Sequence, residues 1–517
     1  MKLETLGVWM GFPFETSLRR EGITRFIFYL VKHLLRNYKV KCEIWCYDIN
    51  YDEIYEIFNP LLSQPEFGSR ISIFTEKSFS AKRESRKRVF TESFEVIQGI
   101  LRGESVSWKH PFSLYARAFS IQKLEIERLS RDANKRLLSY AIDTLVALSL
   151  LASGAVARGI RNYILHNRLA ITPKMKYRHD SDPLANLANE HSKADVFLIQ
   201  IVNLDNGLDL KSPRLLYLPD LVTLEFYDLF VESYSNIRPW IDKGVNTAKE
   251  YAKQAVFFCS NSDYVRKNHI LRFIPGVKEV NTGFVYLPAN IPDNVMNIIP
   301  SKATTFKKYS IGCDYIFYPT QIRPYKNVIT LLKAFLILKS RGIPLKLVLT
   351  GNTEEIQEVT RFISTNEIGC ELVLTGGVAE VDLYALHKYA IATVVPTLFE
   401  GGFPWQALEA MLMDTPVVLS RIPAVTERLI HEGLDPDNCG LRLFEPCNEN
   451  ELAEKIIYVY ENRQKCITDQ SMAKEKLFSY NWDDVAHQYY RIFSGLHKVN
   501  QVSLQKSEYN EAHCCPK

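Results

Sequence analysis

Residues 392–427 read ATVVPTLFEGGFPWQALEAMLMDTPVVLSRIPAVTE, and the reading of this stretch decides the fold. Thr393–Val395 is a buried strand by its apolar run, Thr397–Phe403 a glycine-bearing loop, Trp405–Met413 a helix and Pro416–Ser420 a second short strand. A strand that ends in a glycine loop and feeds a helix gathers unpaired backbone N–H groups and the positive end of a helix dipole at one point. Such a point favours an anion. Pro404 suits the first helical position, where its missing N–H costs nothing. Glu400 in the loop and Glu409 on the helix set two carboxylates beside this crevice.

Upstream, YIFYPTQIRPYKNVITLLKAFLILKSR predicts a strand over Tyr315–Tyr318, a polar loop and a helix from Val328. Arg323 and Lys326 are expected together just before that helix, where a guanidinium and an ammonium would neutralise a diphosphate; solvation at the surface is the other reading. LKLVLTGN and CELVLTGG continue as strands that end in turn residues, with helices between them. Strand and helix alternate throughout, which makes this half a doubly wound α/β domain.

The chain opens in the same way. A strand over Glu4–Met10, a loop from Gly11 to Gly22, the amphipathic helix ITRFIFYLVKHLLRN and the strand VKCEIWCY follow one another. Gly22, with Arg19, Arg20 and Arg25 around it, stands where a ligand would meet the sheet. No GxGxxG is present, so a dinucleotide cofactor is poorly supported. The pattern returns at Ala194 with DVFLIQIVN, RLLYLPDLVTLEFYD, AVFFCSNSDYVRKNHIL and VNTGFVYLP. Asp220, after RLLYLP, either reaches the crevice or caps a turn. Pro288–Lys308, rich in Pro, Asn and Lys, reads as a linker.

The chain has 517 residues, 46% hydrophobic and 24% charged, values of a globular protein with two or three domains. The first residues, MKLETLGVWMGFPFE, do not read as a secretory leader, so a cytoplasmic location is expected. Ten cysteines lack metal or CxxC spacing; Cys42, Cys46 and Cys259 fall in strand-like runs as reduced core thiols do. The Cys514-Cys515 pair matches no prenylation box.

The net charge of +4 hides an asymmetry: residues 77–178 carry 20 Lys and Arg against 8 Asp and Glu, so the remainder is net −8. This basic segment favours an anionic partner. It falls inside 70–182, where long helical patterns read as an insertion in the first domain. AKRESRKR (Ala81–Arg88) is a solvated helix face or part of an anion-binding surface. Thr144–Ala157 is free of charge, and at about 1.5 Å per residue it covers roughly 21 Å, short of the roughly 30 Å of a bilayer core. It reads as a buried core helix or as an interfacial helix with Arg158, Arg161 and Arg168 at the headgroups.

Three blocks, YPTQIRPYKNVITLLKAF, LTGGVAEVDLYALHKYAIATVVPTLFEGGFPWQALEAM and DTPVVLSRIPAVTE, resemble those of the retaining glycosyltransferases of family 4, the mannosyltransferase-like group 1 enzymes. The resemblance is strongest from Tyr315 to Phe444 and leaves 70–182 uncovered. It implies the GT-B fold, two Rossmann-like domains facing across a cleft, with a first domain over 1–290 that carries the insertion and a donor domain over 291–480. A helix over 481–497 would cross back to the first domain, ahead of a flexible tail over 498–517. The resemblance also implies roles: Lys326 on the donor diphosphate, Glu400 at the transferred sugar, Glu409 at the ribose, and backbone N–H groups of Gly401, Gly402 and Phe403 at sugar and phosphate. Three departures accompany it. Glu400 and Glu409 are one residue further apart than the family's usual spacing, the family arginine position holds Gln321 with Arg323 two residues on, and Pro219-Asp220 stands where a His-Asp pair is common.

The implied activity is retaining transfer of a hexose from GDP- or UDP-hexose to a saccharide or lipid-linked acceptor in polysaccharide or glycolipid assembly. Arg323 and Lys326 would stabilise the leaving diphosphate without a metal, and Glu400 and Asp220 would complete the catalytic set. Peripheral contact with an anionic membrane is an option, and a nucleic-acid partner is not expected. The alternatives are a GT-B subunit that binds a nucleotide sugar without transferring it, and a hydrolysing or epimerising GT-B enzyme. Lys326→Ala and Glu400→Gln are each expected to abolish transfer with the fold intact.

Overall fold

The computed structural model describes residues 2–14, 18, 22–79, 182–234, 236–289, 298–353 and 356–513, with side chains up to residue 500. Lys77–Asp180 separates from the rest of the chain as a second compact unit. AKRESRKR, the Thr144–Ala157 stretch, Arg19, Arg20 and the Cys514-Cys515 pair lie outside the described residues.

The remainder is built on two all-parallel sheets. The first comprises β1 (Thr5–Met10), β2 (Lys41–Cys46), β3 (Ile71–Phe74), β4 (Val196–Ile199), β5 (Arg214–Tyr217), β6 (Phe257–Ser260) and β7 (Thr282–Phe284), in the order β3-β2-β1-β4-β5-β6-β7. The second comprises β8 (Tyr315–Tyr318), β9 (Lys346–Leu349), β10 (Leu372–Leu374), β11 (Ala392–Val395), β12 (Val417–Ser420) and β13 (Arg442–Phe444), in the order β10-β9-β8-β11-β12-β13. A parallel sheet needs crossover helices on both faces, so its central strands read as unbroken apolar runs. Every residue of β1, β8, β11 and β12 is buried. In each sheet the winding reverses at one place, between β1 and β4 and between β8 and β11. The loops that follow these strands diverge there and leave a crevice at the carboxyl ends.

Several local readings change. Pro404 has φ −61° and ψ 126°, so it is the residue before the Trp405–Leu412 helix and not its first helical member. The Pro288–Lys308 linker contains part of a helix, Lys302–Tyr309, whose Ser301 side chain caps the Thr304 N–H. Only Thr305 of that helix is fully buried, so its sequence carries almost no apolar periodicity. β3 lies within 70–182 and pairs with β2 as the edge strand of the first sheet. The last helix runs from Trp482 to His513, past the expected end at 497. Among the described residues no helix is long and apolar enough to cross a membrane.

That last helix packs on the Gly22–Asn37 helix of the first sheet. Asp483 Oδ1 pairs with His33 Nδ1 at 2.7 Å and accepts from Asn37 Nδ2 at 2.6 Å, while Tyr490 stacks on Tyr38 with centroids 3.9 Å apart. A second tie joins the halves at Glu427. From the Pro423–His431 helix its carboxylate accepts the backbone N–H groups of Asp263 and Tyr264, at 2.8 and 2.6 Å, and the Tyr286 hydroxyl at 2.9 Å. Hydrogen bonds to a charged group contribute roughly 1.5–3 kcal/mol each. Glu427→Ala is therefore expected to speed hydrogen exchange at the Asp263 and Tyr264 amides by at least about tenfold. Unchanged exchange at both amides would remove this tie from the forces holding the halves together.

Candidate functional site

The site forms where the loops after β8 and β11 meet. After β8 the chain turns once in a 3-10 segment, Pro324–Lys326, and Asn327 follows with φ +54°. The Asn327 side chain donates to Pro396 O at 3.0 Å, and Leu398 N donates to Tyr325 O at 2.8 Å. These bonds lace the two loops together and bring Lys326 to Glu400, with Nζ 2.5 Å from Oε1. Lys326 is buried, 8% exposed. Burial works against its charge, but Glu400 outweighs it and holds the ammonium above its ordinary value. Lys326 is a fixed cation at any working pH.

Arg323 does not share this contact. It sits in extended backbone before the turn and donates to Gln321 Oε1 at 2.7 Å on the solvent side. The two residues that stand out from the family pattern thus pair with each other. Tyr325, which the sequence reading passes over, is buried against Phe230 and Phe399. Its hydroxyl is pushed up by burial first; Lys326 and Arg323 act in the lowering direction, Glu400 and Asp220 in the raising direction. One buried hydroxyl thus senses charges from both sheets.

Asp220 comes from the loop after β5. Its Oδ1 accepts from Val222 N at 3.1 Å, which is the turn-capping alternative. Beneath it, Leu221 N donates to His269 Nδ1 at 2.7 Å, which leaves the His269 proton on Nε2, facing Glu225 Oε2 at 2.7 Å. His269 stacks on Phe399, the neighbour of Glu400, with centroids 5.0 Å apart and planes at 17°. Burial raises the Glu225 carboxyl, but the His269 and Tyr264 hydrogen bonds prevail and hold it below the usual range.

The glycines of the 397–403 loop allow close approach to the first domain. A Cβ on Gly401 would lie 2.3 Å from Pro219 O, and the Gly401 carbonyl accepts from Ser262 Oγ at 2.7 Å. Gly402 abuts Asn261 in the same way. The longer loop lies directly on the loops that follow β5 and β6. Phe403 turns its ring into the core of the second domain, so only its backbone is available to a ligand.

Glu409, on the Trp405–Leu412 helix, is 3% exposed and meets a partner from the other half of the molecule. Arg25 Nη2 donates to Glu409 Oε1 at 2.9 Å, lies 3.9 Å from Glu380 and places its guanidinium 5.1 Å from the centre of the Trp405 ring. Gly22 begins the helix that carries Arg25 and rests against the same tryptophan. Burial raises the Glu409 carboxyl, yet Arg25 and then His387 outweigh it, and the group titrates below its ordinary value. The structure therefore gathers Lys326, Glu400, Gly401, Gly402 and Asp220 in one place, and Gly22, Arg25 and Glu409 in another. Arg323 and Gln321 form a rim.

Two parallel sheets, each with its crevice at the winding reversal and with facing loops, define the GT-B class of glycosyltransferase fold. Residues 302–476 match the family described as glycosyl transferases group 1, so the resemblance holds over the second domain. Over 182 residues the chain is 25% identical to the lipopolysaccharide 1,2-N-acetylglucosaminetransferase of Salmonella typhimurium, covering 34% of this chain and 46% of that protein. It is also 24% identical over 192 residues to the serotype-specific mannosyltransferase WbdA of Escherichia coli, covering 35% of this chain and 22% of that protein. The chain thus spans less than half the length of these curated relatives. Among solved structures, Anabaena Alr3699/HepE in complex with UDP and glucose is 13% identical, with a TM-score of 0.54 over 95% of this chain and all of that one. A mutant of S. aureus TarM, in complex with UDP, Fondaparinux and alpha-GlcNAc-glycerol, matches with the same score and coverage. At such identity these likenesses speak for the fold.

Proposed function

We propose that this protein is a retaining hexosyltransferase that takes a sugar from a nucleoside diphosphate donor, GDP- or UDP-linked, to the hydroxyl of a saccharide or lipid-linked acceptor. The observation that carries the reading is the buried Lys326–Glu400 pair at the winding reversal of the second sheet. Lys326 is the charge that meets the departing diphosphate, and Glu400 the acceptor of sugar hydroxyls. Glu409 receives the ribose hydroxyls, and Gly401 and Gly402 offer backbone N–H groups.

In the reaction the bond from the anomeric carbon to the β-phosphate oxygen breaks. The acceptor oxygen bonds to that carbon on the same face, and its proton passes to the departing phosphate oxygen. The barrier is lowered electrostatically, by a cation fixed where negative charge grows, with no metal required. Asp220 and Tyr325 stand at the same point and shape the acceptor side. The names of the relatives, which concern lipopolysaccharide and serotype-specific mannosyl transfer, support polysaccharide or glycolipid assembly as the setting.

The test is thermal stabilisation of the full chain by UDP, GDP and their hexose derivatives, followed by determination of the product's anomeric configuration by NMR. A bound nucleotide at 100 times its Kd adds about 2.7 kcal/mol. Absence of stabilisation by every nucleotide overturns the donor site, and an inverted product overturns retention.

A further inference from the structure

Beneath Glu409 lies a residue to which no role has been given. His387, on the Glu380–Tyr389 helix, is wholly buried. Its Nδ1 is 2.8 Å from Thr393 Oγ1, its carbonyl accepts from Thr415 Oγ1 at 2.7 Å, and Phe317 packs edge-on against its ring. Its Nε2 has no hydrogen-bond partner among the described residues and stops 3.6 Å from Glu409 Oε2. Glu409 is gripped at its other oxygen by Arg25 from across the cleft. The tautomer follows from the neighbours. A lone pair on Nε2 would face a carboxylate oxygen, so Nε2 carries the proton and the Thr393 hydroxyl donates to Nδ1.

We infer that His387 is a positioning residue for the donor nucleotide: when ribose hydroxyls take over the oxygen held by Arg25, the carboxylate settles onto the His387 Nε2–H and is fixed there. The inference rests on the reading of Glu409 as the ribose carboxylate. An N–H buried without a partner is disfavoured, and the short gap to Glu409 is the one place where it gains one. Both grips come from groups that cannot follow a moving ligand: His387 is locked by Thr393, Thr415 and Phe317, and Arg25 belongs to the other domain. Among the described residues, Glu380 and Tyr384 also interact with this carboxylate.

The experiment uses the full chain with UDP and GDP as probes, and two variants. His387→Asn keeps a polar atom near the Nδ1 position and removes the one at Nε2, whereas His387→Gln extends an amide N–H toward the Nε2 position. His387→Asn is expected to raise the nucleotide Kd and the donor KM by about tenfold with kcat within about twofold. His387→Gln should recover most of that loss, and His387→Asn should add nothing in a Glu409→Gln background. If the wild type binds a nucleotide and His387→Asn binds it equally well, the inference fails and the donor site stands. If both variants lose kcat alike with KM unchanged, or if the effect persists in full without Glu409, the residue is a packing element and the inference fails as well. If the wild type binds neither UDP nor GDP, the donor-site reading fails and takes the inference with it.

Discussion

Lys326→Ala is expected to lower kcat by about a hundred- to a thousandfold, because it removes the fixed cation from the point where the diphosphate gains charge. It will also destabilise the protein, contrary to what the sequence suggests. Lys326 is buried, and its partner Glu400 is only 17% exposed at the side chain. Removing one member of a buried pair costs about 3–5 kcal/mol, and the partial exposure of Glu400 brings the expected loss toward the lower end. Lys326→Met combined with Glu400→Gln leaves no buried charge unpaired, so it should regain most of the stability and none of the activity. Denaturant titration and initial rates on the three proteins separate the two effects. Full activity in Lys326→Ala would end the donor-site assignment. The pH dependence has a definite sign: the folded value of Lys326 is raised, so its stabilisation is complete below the ordinary lysine value and disappears only above it. An alkaline fall in rate below that range therefore belongs to another group.

What the sequence could carry was local. The strand Tyr315–Tyr318 and a helix starting at about Val328 are legible because an apolar run, a turn and a helical repeat are written within a few positions of one another. Lys326, Glu400 and Glu409 are picked out by spacing around a strand end, and the structure sets Lys326 and Glu400 together although 74 residues separate them. The partners of these groups were not legible. Arg25 lies 384 residues from Glu409, and His269 lies 44 from Glu225, with nothing in either neighbourhood to signal the other. His387 looks like one more polar residue on a helix; its significance arises only because the β11 and β12 segments bury it beneath Glu409. Tyr325 adjoined a chosen lysine, and a buried aromatic in a helix-entry turn is ordinary enough to be passed over. The Lys302–Tyr309 helix was missed for a different reason, since a helix that fully buries one threonine has no periodic face to detect.

Glu409→Gln is expected to raise the donor KM by about a hundredfold while kcat changes little, since a carboxylate that accepts two ribose hydroxyls contributes about 1.5–3 kcal/mol per charged hydrogen bond to both the ground and the transition state. The same change unties the domains. Arg25 is 30% exposed at its side chain and Glu409 is 3% exposed, so the pair lies between a surface bridge and a buried one. Its loss should cost about 2–3 kcal/mol of the closed arrangement. Arg25→Met tests that half of the argument alone. With Arg25 gone, the buried Glu409 carboxylate keeps only His387 against desolvation, and its titration moves up. The wild-type group is depressed, so the stability it gives is present above the ordinary carboxylate value and is lost as pH falls through the folded value. In Arg25→Met acid has no bridge left to break, so that acid loss should vanish there as it does in Glu409→Gln. Small-angle scattering across the acid range, read as the radius of gyration of each variant, measures it. An acid opening that is the same in all three proteins would show that closure rests on Glu427 and the last helix, and that Arg25 holds the ribose carboxylate without holding the domains.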